Sequence, residues 1–130
     1  MIVDSSAIVA ILRGEIEADA IADAMAEAPF RRVSVVNYIE AAVVVDSWRD
    51  VITSRGLDEL LRRTQTTIEA VTPEQAAIAR EAYRDFGKGR HRAGLNLGDC
   101  FAYALAKDKG EPLLFKGDDF QRTDVEVAEY

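Results

Sequence analysis

Short apolar runs alternate along the chain with longer stretches in which apolar residues recur every three or four positions. That alternation marks strands followed by amphipathic helices. Met1-Ile2-Val3 is the first run and ends on Asp4. Ser5 or Ser6 then caps a helix over residues 7–12, closed by Arg13-Gly14. Over residues 15–28, Ile16, Ala20, Ile21, Ala24 and Met25 share one face of a helix that stops before Pro29. Arg32-Val33-Ser34-Val35-Val36 reads as a second strand. A third helix runs from Asn37 to about Trp48, with Asn37 as its cap and Glu40 as the capping partner. Helical spacing resumes over residues 49–63, and Gly56 marks the joint. Residues 66–71 form a β-branched strand, after which Thr72 caps and Pro73 opens a helix to about Phe86. The glycine-rich segment 87–94 is a loop. Asn96 caps the next helix, in which Leu97, Phe101 and Leu105 recur and Gly98 leaves space beside the first turn. Pro112-Leu113-Leu114-Phe115 is a fourth strand ending in the turn Lys116-Gly117-Asp118-Asp119, and Val125-Glu126-Val127 is a candidate edge strand.

Strands separated by helices imply a parallel sheet covered on both faces, a three-layer α/β/α arrangement with four to five strands. At 130 residues the chain suits one domain spanning 1–130, large enough to bury a core without staples. The single cysteine, Cys100, excludes an internal disulfide and fits a reducing cytoplasm. It reads as a small buried residue, since no histidine neighbours it. No basic segment with an apolar core opens the chain, so no secretory leader is expected. The longest apolar run, residues 100–106, is far short of a membrane span.

Charge narrows the function classes. Net charge is −7, with 23 acidic against 16 basic residues, which argues against a general nucleic-acid coat. It leaves room for an enzyme whose carboxylates hold cations. In an open parallel sheet the active crevice lies beyond the carboxyl ends of the strands. Asp4 ends the first strand, Asp118 and Asp119 follow the fourth, and Glu40 and Asp99 sit in first turns of helices. Each acid has a local reason to be there as a turn or cap residue. Converging, they would repel by several kcal/mol and need a compensating cation. An all-oxygen donor set selects Mg²⁺ or Mn²⁺, and such ions can activate water for phosphodiester hydrolysis without a histidine base. Arg80, Arg84, Lys88, Arg90, His91 and Arg92 form a basic segment just before Asp99. Of these, Lys88, Arg90 and Arg92 are the candidates for contacts to substrate phosphates.

Four motifs occur in order: Asp4-Ser5-Ser6-Ala7, Asn37-Tyr38-Ile39-Glu40, Leu95-Asn96-Leu97-Gly98-Asp99-Cys100-Phe101-Ala102-Tyr103-Ala104 and Leu114-Phe115-Lys116-Gly117-Asp118-Asp119-Phe120. Together they closely resemble the PIN-domain ribonucleases, specifically the VapC toxins of type II toxin–antitoxin modules. The resemblance implies a PIN-like fold and Mg²⁺- or Mn²⁺-dependent endonuclease activity on RNA. Asp4, Glu40 and Asp99 match the family's first three acids. Asp118 is favoured as the fourth because it lies nearer the strand end, with Asp119 as the alternative, stabilising the turn that Phe120 anchors. Of these, Asp4, Asp99 and Asp118 would ligate metal. A cognate antitoxin that inserts a peptide into the acidic groove is also implied. So is a homodimer, with a higher toxin–antitoxin assembly, built on apolar residues of the 37–48 helix; Tyr38, Ile39 and Trp48 belong to that surface or to the core.

Two rivals share parts of the pattern. A Mg²⁺-binding receiver domain would carry paired acids after the first strand, where this chain has Asp4 followed by two serines. A haloacid dehalogenase-like phosphatase would explain Gly117-Asp118-Asp119, but would need an aspartate at the position of Ser6.

Overall fold

The computed structural model describes residues 1–130. Four strands, β1 (Ile2–Val3), β2 (Arg32–Ser34), β3 (Thr67–Glu69) and β4 (Leu113–Leu114), form one parallel sheet in the order β3-β2-β1-β4. Six helices connect them: α1 (Ser5–Arg13), α2 (Ala18–Glu27), α3 (Val35–Ser47), α4 (Val51–Arg63), α5 (Pro73–Phe86) and α6 (Leu97–Lys109). Alternation along the short central strands divides the core in two. Ile2 and Leu113 pack with α5 and α6, whereas Val3, Val33 and Leu114 pack with α1, α2 and α4. This is the three-layer arrangement expected, with four strands. The 125–127 segment adds one parallel bridge to β4, at Leu113 and Val127, rather than a fifth strand.

Several local expectations need correction. Helix α1 begins at Ser5 because Asp4 is its N-cap, accepting from the Ser6 amide at 3.0 Å. Helix α2 starts only at Ala18, leaving Ile16 almost wholly exposed while Ile21 and Met25 are buried. The strand expected over 32–36 stops at Ser34, whose hydroxyl accepts from the Val36 amide and caps α3. Asn37 is therefore inside the helix and fully buried. The joint between α3 and α4 falls at Arg49, which takes a positive φ, and Asp50 then caps α4. Gly56 lies within α4, with the Leu12 side chain alongside. Thr72 and Pro73 open α5, and α6 ends at Gly110 in the left-handed region.

Around Arg32, at the amino end of β2, carboxylates are matched by cations. The Met1 ammonium and Arg32 both contact Glu111, at 2.7 and 2.9 Å, and Arg32 also reaches Glu69 at 2.8 Å. Burial works against Glu111, but these two cations hold it below the usual carboxylate range. The network links all four strands, Glu69 being the last residue of β3. No helix is long and apolar enough to cross a membrane.

Candidate active site

The opposite end of the sheet, beyond the carboxyl ends of the strands, is where Asp4, Glu40 and Asp99 come together. Asp4 is 2% exposed. Its Oδ2 accepts from the Ser6 hydroxyl at 2.6 Å, and that hydroxyl in turn accepts from the Lys116 amide at 3.0 Å. Ser6 thus couples the end of β1 to the turn after β4.

Glu40 reaches the cluster from one helical turn into α3. Its Oε1 accepts from Asn37 Nδ2 at 3.0 Å and from the Ser5 hydroxyl at 3.4 Å. The carboxylate lies directly on Gly98: a Cβ there would meet Glu40 Oε2 at 2.0 Å. The space left by the missing side chain in α6 is therefore filled by Glu40, and any larger residue at 98 would expel it.

Asn37 is the hub that sequence reasoning misassigned as a cap. Its Nδ2 also donates to the Gly98 carbonyl at 3.0 Å and lies 3.4 Å from Asp4 Oδ1, so one amide touches β1, α3 and α6. Its Oδ1 is buried without a partner. The overlooked signal was Ser34, an equally good cap three residues earlier.

Asp99 performs two tasks at once. It forms a capping box with Asn96: its Oδ2 accepts the Asn96 amide at 3.0 Å while Asn96 Oδ1 accepts the Asp99 amide at 2.8 Å. Its charge also belongs to the cluster. Burial, opposed by the Asn96 bond and reinforced by Asp4, Asp119 and Glu40, pushes the Asp99 carboxyl up to about 7. Burial and the Asp4 charge raise Glu40, against the bonds from Asn37 and Ser5. Burial also raises Asp4, against its Ser6 and Ser5 bonds, with Asp119 adding to the rise.

At the fourth position the two adjoining aspartates differ in electrostatic reach. Asp119, not Asp118, is the acid whose charge bears on both Asp4 and Asp99. Gly117, at φ 109°, turns the chain so that Asp119 stands at the head of the 3₁₀ turn Phe120–Arg122. That turn is anchored by Phe120 on Phe115, with ring centroids 4.9 Å apart, and the Asp119 side chain makes no capping bond to it. Its carboxylate remains free for the cluster.

None of Asp4, Glu40, Asp99, Asp118 and Asp119 forms an ion pair; Lys116, the nearest cation in sequence to the last two, pairs with Glu15 and Glu17 instead. Three raised carboxyls without a cation partner are the reverse of the matched network around Arg32. The donor set is all oxygen and suits a hard divalent ion. No three of the side chains stand in the array that direct ligation of one ion by all of them would need.

The 87–94 loop is pinned at its base by the Lys88 amide to the Leu95 carbonyl at 2.9 Å and the Leu95 amide to the Phe86 carbonyl at 3.0 Å. Arg90 packs over the Tyr83 ring and lines a groove with Arg80 and Arg84. Lys88 and Arg92 are exposed in the same loop, outside that groove. His91 accepts the Ala93 amide on Nδ1 at 3.0 Å and sits edge-on to Phe86, a loop staple and not a base. Cys100 is buried, and burial together with the Asp99 charge pushes its thiol up to about 11, which rules out a thiolate nucleophile at neutral pH. Tyr38 packs against the core, Trp48 lies under the Arg13 guanidinium, and Ile39 is half exposed.

Comparison with known proteins agrees with the fold. The family model described as "PIN domain" matches residues 1–126. The chain is 56% identical over 129 residues to VapC ribonuclease Mb0625 of Mycobacterium bovis, covering 98% of this chain and 97% of that protein. Ribonuclease VapC28 of Mycobacterium tuberculosis matches to the same extent. Among solved structures, a toxin–antitoxin complex from Klebsiella pneumoniae superposes with a TM-score of 0.75 at 18% identity, covering 99% of this chain and 97% of that one. Mycobacterium tuberculosis VapC20, described as a sarcin-ricin loop cleaving toxin, gives 0.73 at 18% identity, covering 98% of both chains. At that identity the two structures speak for the fold alone.

Proposed function

Since the chain belongs to the VapC ribonucleases of the PIN-domain family, we propose that it is the toxin of a type II toxin–antitoxin pair and hydrolyses RNA phosphodiester bonds at the acidic cluster, with 1–130 acting as one domain. The observation that carries this reading is the set of unpaired carboxylates beyond the strand ends, three with raised proton affinity. Membership removes the receiver and phosphatase alternatives.

Asp4, Glu40, Asp99 and Asp119 would bind Mg²⁺ or Mn²⁺ together, in part through water, with Asp118 as the alternative fourth acid. The bound ion supplies Lewis-acid stabilisation of phosphoryl charge and a water activated for attack. The protein's own share is orientation. Asn37 fixes Glu40 against the Gly98 backbone, Ser6 fixes Asp4, and the capping box fixes Asp99. Burial, reinforced by the neighbouring acids, makes Asp4, Glu40 and Asp99 hold a proton more tightly than isolated carboxyls, and cation binding must displace those protons. Activity should therefore rise with pH through the range around 7.

Incubating the protein with total RNA and Mg²⁺ or Mn²⁺ should yield discrete new RNA ends, found by sequencing, and a chelator should abolish them. Undiminished cleavage in chelator would overturn the metal-dependent reading.

A cytoplasmic antitoxin partner follows from the family, and its inserted peptide would meet the same unpaired carboxylates. Self-association has a surface ready on α3. Val35, Ile39, Val43 and Val44 are 37–64% exposed and line an open groove of about 590 Å³ with Glu40 at its edge. Four large apolar side chains on one exposed helix face fit a second copy of the same face, which would set two acidic clusters side by side. Val43→Glu should convert a dimer to a monomer in analytical ultracentrifugation while leaving the circular dichroism spectrum unchanged. A wild-type protein that sediments as a monomer at all concentrations would refute the dimer.

A further inference from the structure

A second groove, of about 560 Å³, runs between α5 and α6; helical spacing sets Asp99, two residues from both Leu97 and Phe101, on the other flank of α6 from it. Its floor is apolar: Ala76 and Ala79 are small enough to leave it open, and Leu97, 69% exposed, lines it with Phe101. Leu97 and Phe101 are four residues apart in α6 and so share one face. Across from them stands Tyr83, half exposed, with the Arg90 guanidinium 6.0 Å from its ring centroid. Arg80 and Arg84 complete the wall. No carboxylate lines the groove, and none of the three arginines is in an ion pair. Glu81 and Asp85, the acids of the same part of α5, bear instead on Tyr103.

In a chain of net charge −7, three unpaired arginines around an exposed aromatic ring and an apolar floor are an exception in need of a ligand. The chemistry matches an unpaired nucleotide. A base stacks on the ring while the flanking phosphates take the guanidinium groups, and every base has a face to offer. Position agrees: the groove opens at the first turn of α6, which also carries Asp99, and a helix diameter of about 10–12 Å separates its two flanks. A strand leaving the groove has only to cross that turn to reach the acids.

We propose that the α5–α6 groove binds an unpaired RNA nucleotide flanking the scissile bond, with its base stacked on Tyr83 and its phosphates held by Arg80, Arg84 and Arg90. The proposal rests on the ribonuclease reading. It makes Tyr83 a substrate-positioning residue and extends the phosphate contacts back into α5, beyond the loop.

The test uses a short single-stranded RNA carrying 5-iodouridine, photolysed on the wild-type protein in chelator so that no cleavage intervenes. Mass spectrometry should find the adduct on Tyr83, and unlabelled RNA should compete it away. Tyr83→Leu should weaken binding of this probe by about 5- to 150-fold, the equivalent of one lost base stack, while Tyr83→Phe retains it. Arg80→Gln combined with Arg84→Gln should flatten the salt dependence of binding. Adducts confined to other residues, or a Tyr83→Leu protein that binds the probe as tightly as wild type, would overturn the proposal. So would a Tyr83→Leu protein that only changes oligomeric state, since the groove would then serve a second copy. Cleavage of total RNA by wild type in Mn²⁺ separates the two levels. If wild type cleaves but Tyr83→Leu binds normally, the groove alone fails; if wild type does not cleave, the ribonuclease reading falls and takes the groove with it.

Discussion

Asp4→Asn, Glu40→Gln and Asp99→Asn should each lower metal-dependent RNA cleavage by about 10²- to 10⁴-fold, the range seen when one group acting on the reacting atoms is removed. Each substitution keeps size and most hydrogen bonding. Asparagine at 4 can still accept from Ser6, glutamine at 40 can still accept from Asn37, and asparagine at 99 can still complete the cap with Asn96. What each removes is one negative charge from a cluster that has no internal cation. The same experiment separates the adjacent aspartates. Asp119→Asn should fall with the other three, because its charge is felt at Asp4 and Asp99; Asp118→Asn should stay within a few-fold of wild type. Asn37→Ala should act indirectly, leaving all four carboxylates but freeing Glu40 from the Gly98 backbone, and should be partly rescued by more Mg²⁺. Cleavage kinetics on one defined RNA check all six proteins. Equal loss in the Asp118 and Asp119 variants would show that the turn, not either charge, is what matters. An Asp4→Asn protein with full activity would remove the cluster from the chemistry altogether.

Much of this arrangement is legible in the sequence because local signals and global fold agree. Thr72-Pro73 and Asn96 with Asp99 mark helix starts that no tertiary contact needs to override. The strand-final position of Asp4 follows from the apolar run before it. Where the reading fails, packing outweighs propensity. Val35 and Val36 are β-branched and continue a β-branched strand, yet they open α3, because Ser34 caps there and the helix gains contact with α1 and α6. That shift of three residues turned Asn37 from a cap into the buried amide that joins three elements. Ile16 has the right spacing for the α2 face but precedes the helix, so periodicity alone placed it wrongly. Sequence separates Asp118 from Asp119 only by distance from the strand end, whereas the reach of each charge depends on how Gly117 turns. The α5–α6 groove could not be read at all: Tyr83 and Phe101 are far apart in the chain, and only the packing of two helices sets them on one wall. Convergence of the acids required the strand order β3-β2-β1-β4, which brings β1 between β2 and β4.

The metal-free protein should be less stable at pH 8 than at pH 5.5, and Asp99→Asn should erase much of that difference. The sign follows from linkage. A carboxyl raised to about 7 in the folded state binds a proton more tightly there than in the unfolded chain, where it titrates near 4. The stabilisation this group gives is complete below about pH 4, declines as pH rises, and is gone once pH passes about 7. Three pK units would correspond to about 4 kcal/mol, but Asp99 is partly solvated and screened, so about 1–2 kcal/mol is the realistic scale. For a chain of this size that is about 3–10 °C in melting temperature. In chelator at pH 8, Asp99→Asn should therefore melt higher than wild type, because the amide keeps the bond to Asn96 and drops the charge. Adding Mn²⁺ should reverse the order. Wild type gains about 2.7 kcal/mol at a free ion concentration ~100 times its dissociation constant, and the variant, lacking one ligand, gains much less. A cap with no share in the cluster behaves oppositely: loss of the favourable helix-dipole term costs about 0.3–1 kcal/mol in chelator and leaves the metal response intact. Thermal melts of both proteins at the two pH values, with Mn²⁺ and with chelator, distinguish these outcomes. If the variant melts lower in chelator at pH 8 and keeps the full Mn²⁺ shift, Asp99 serves the helix alone.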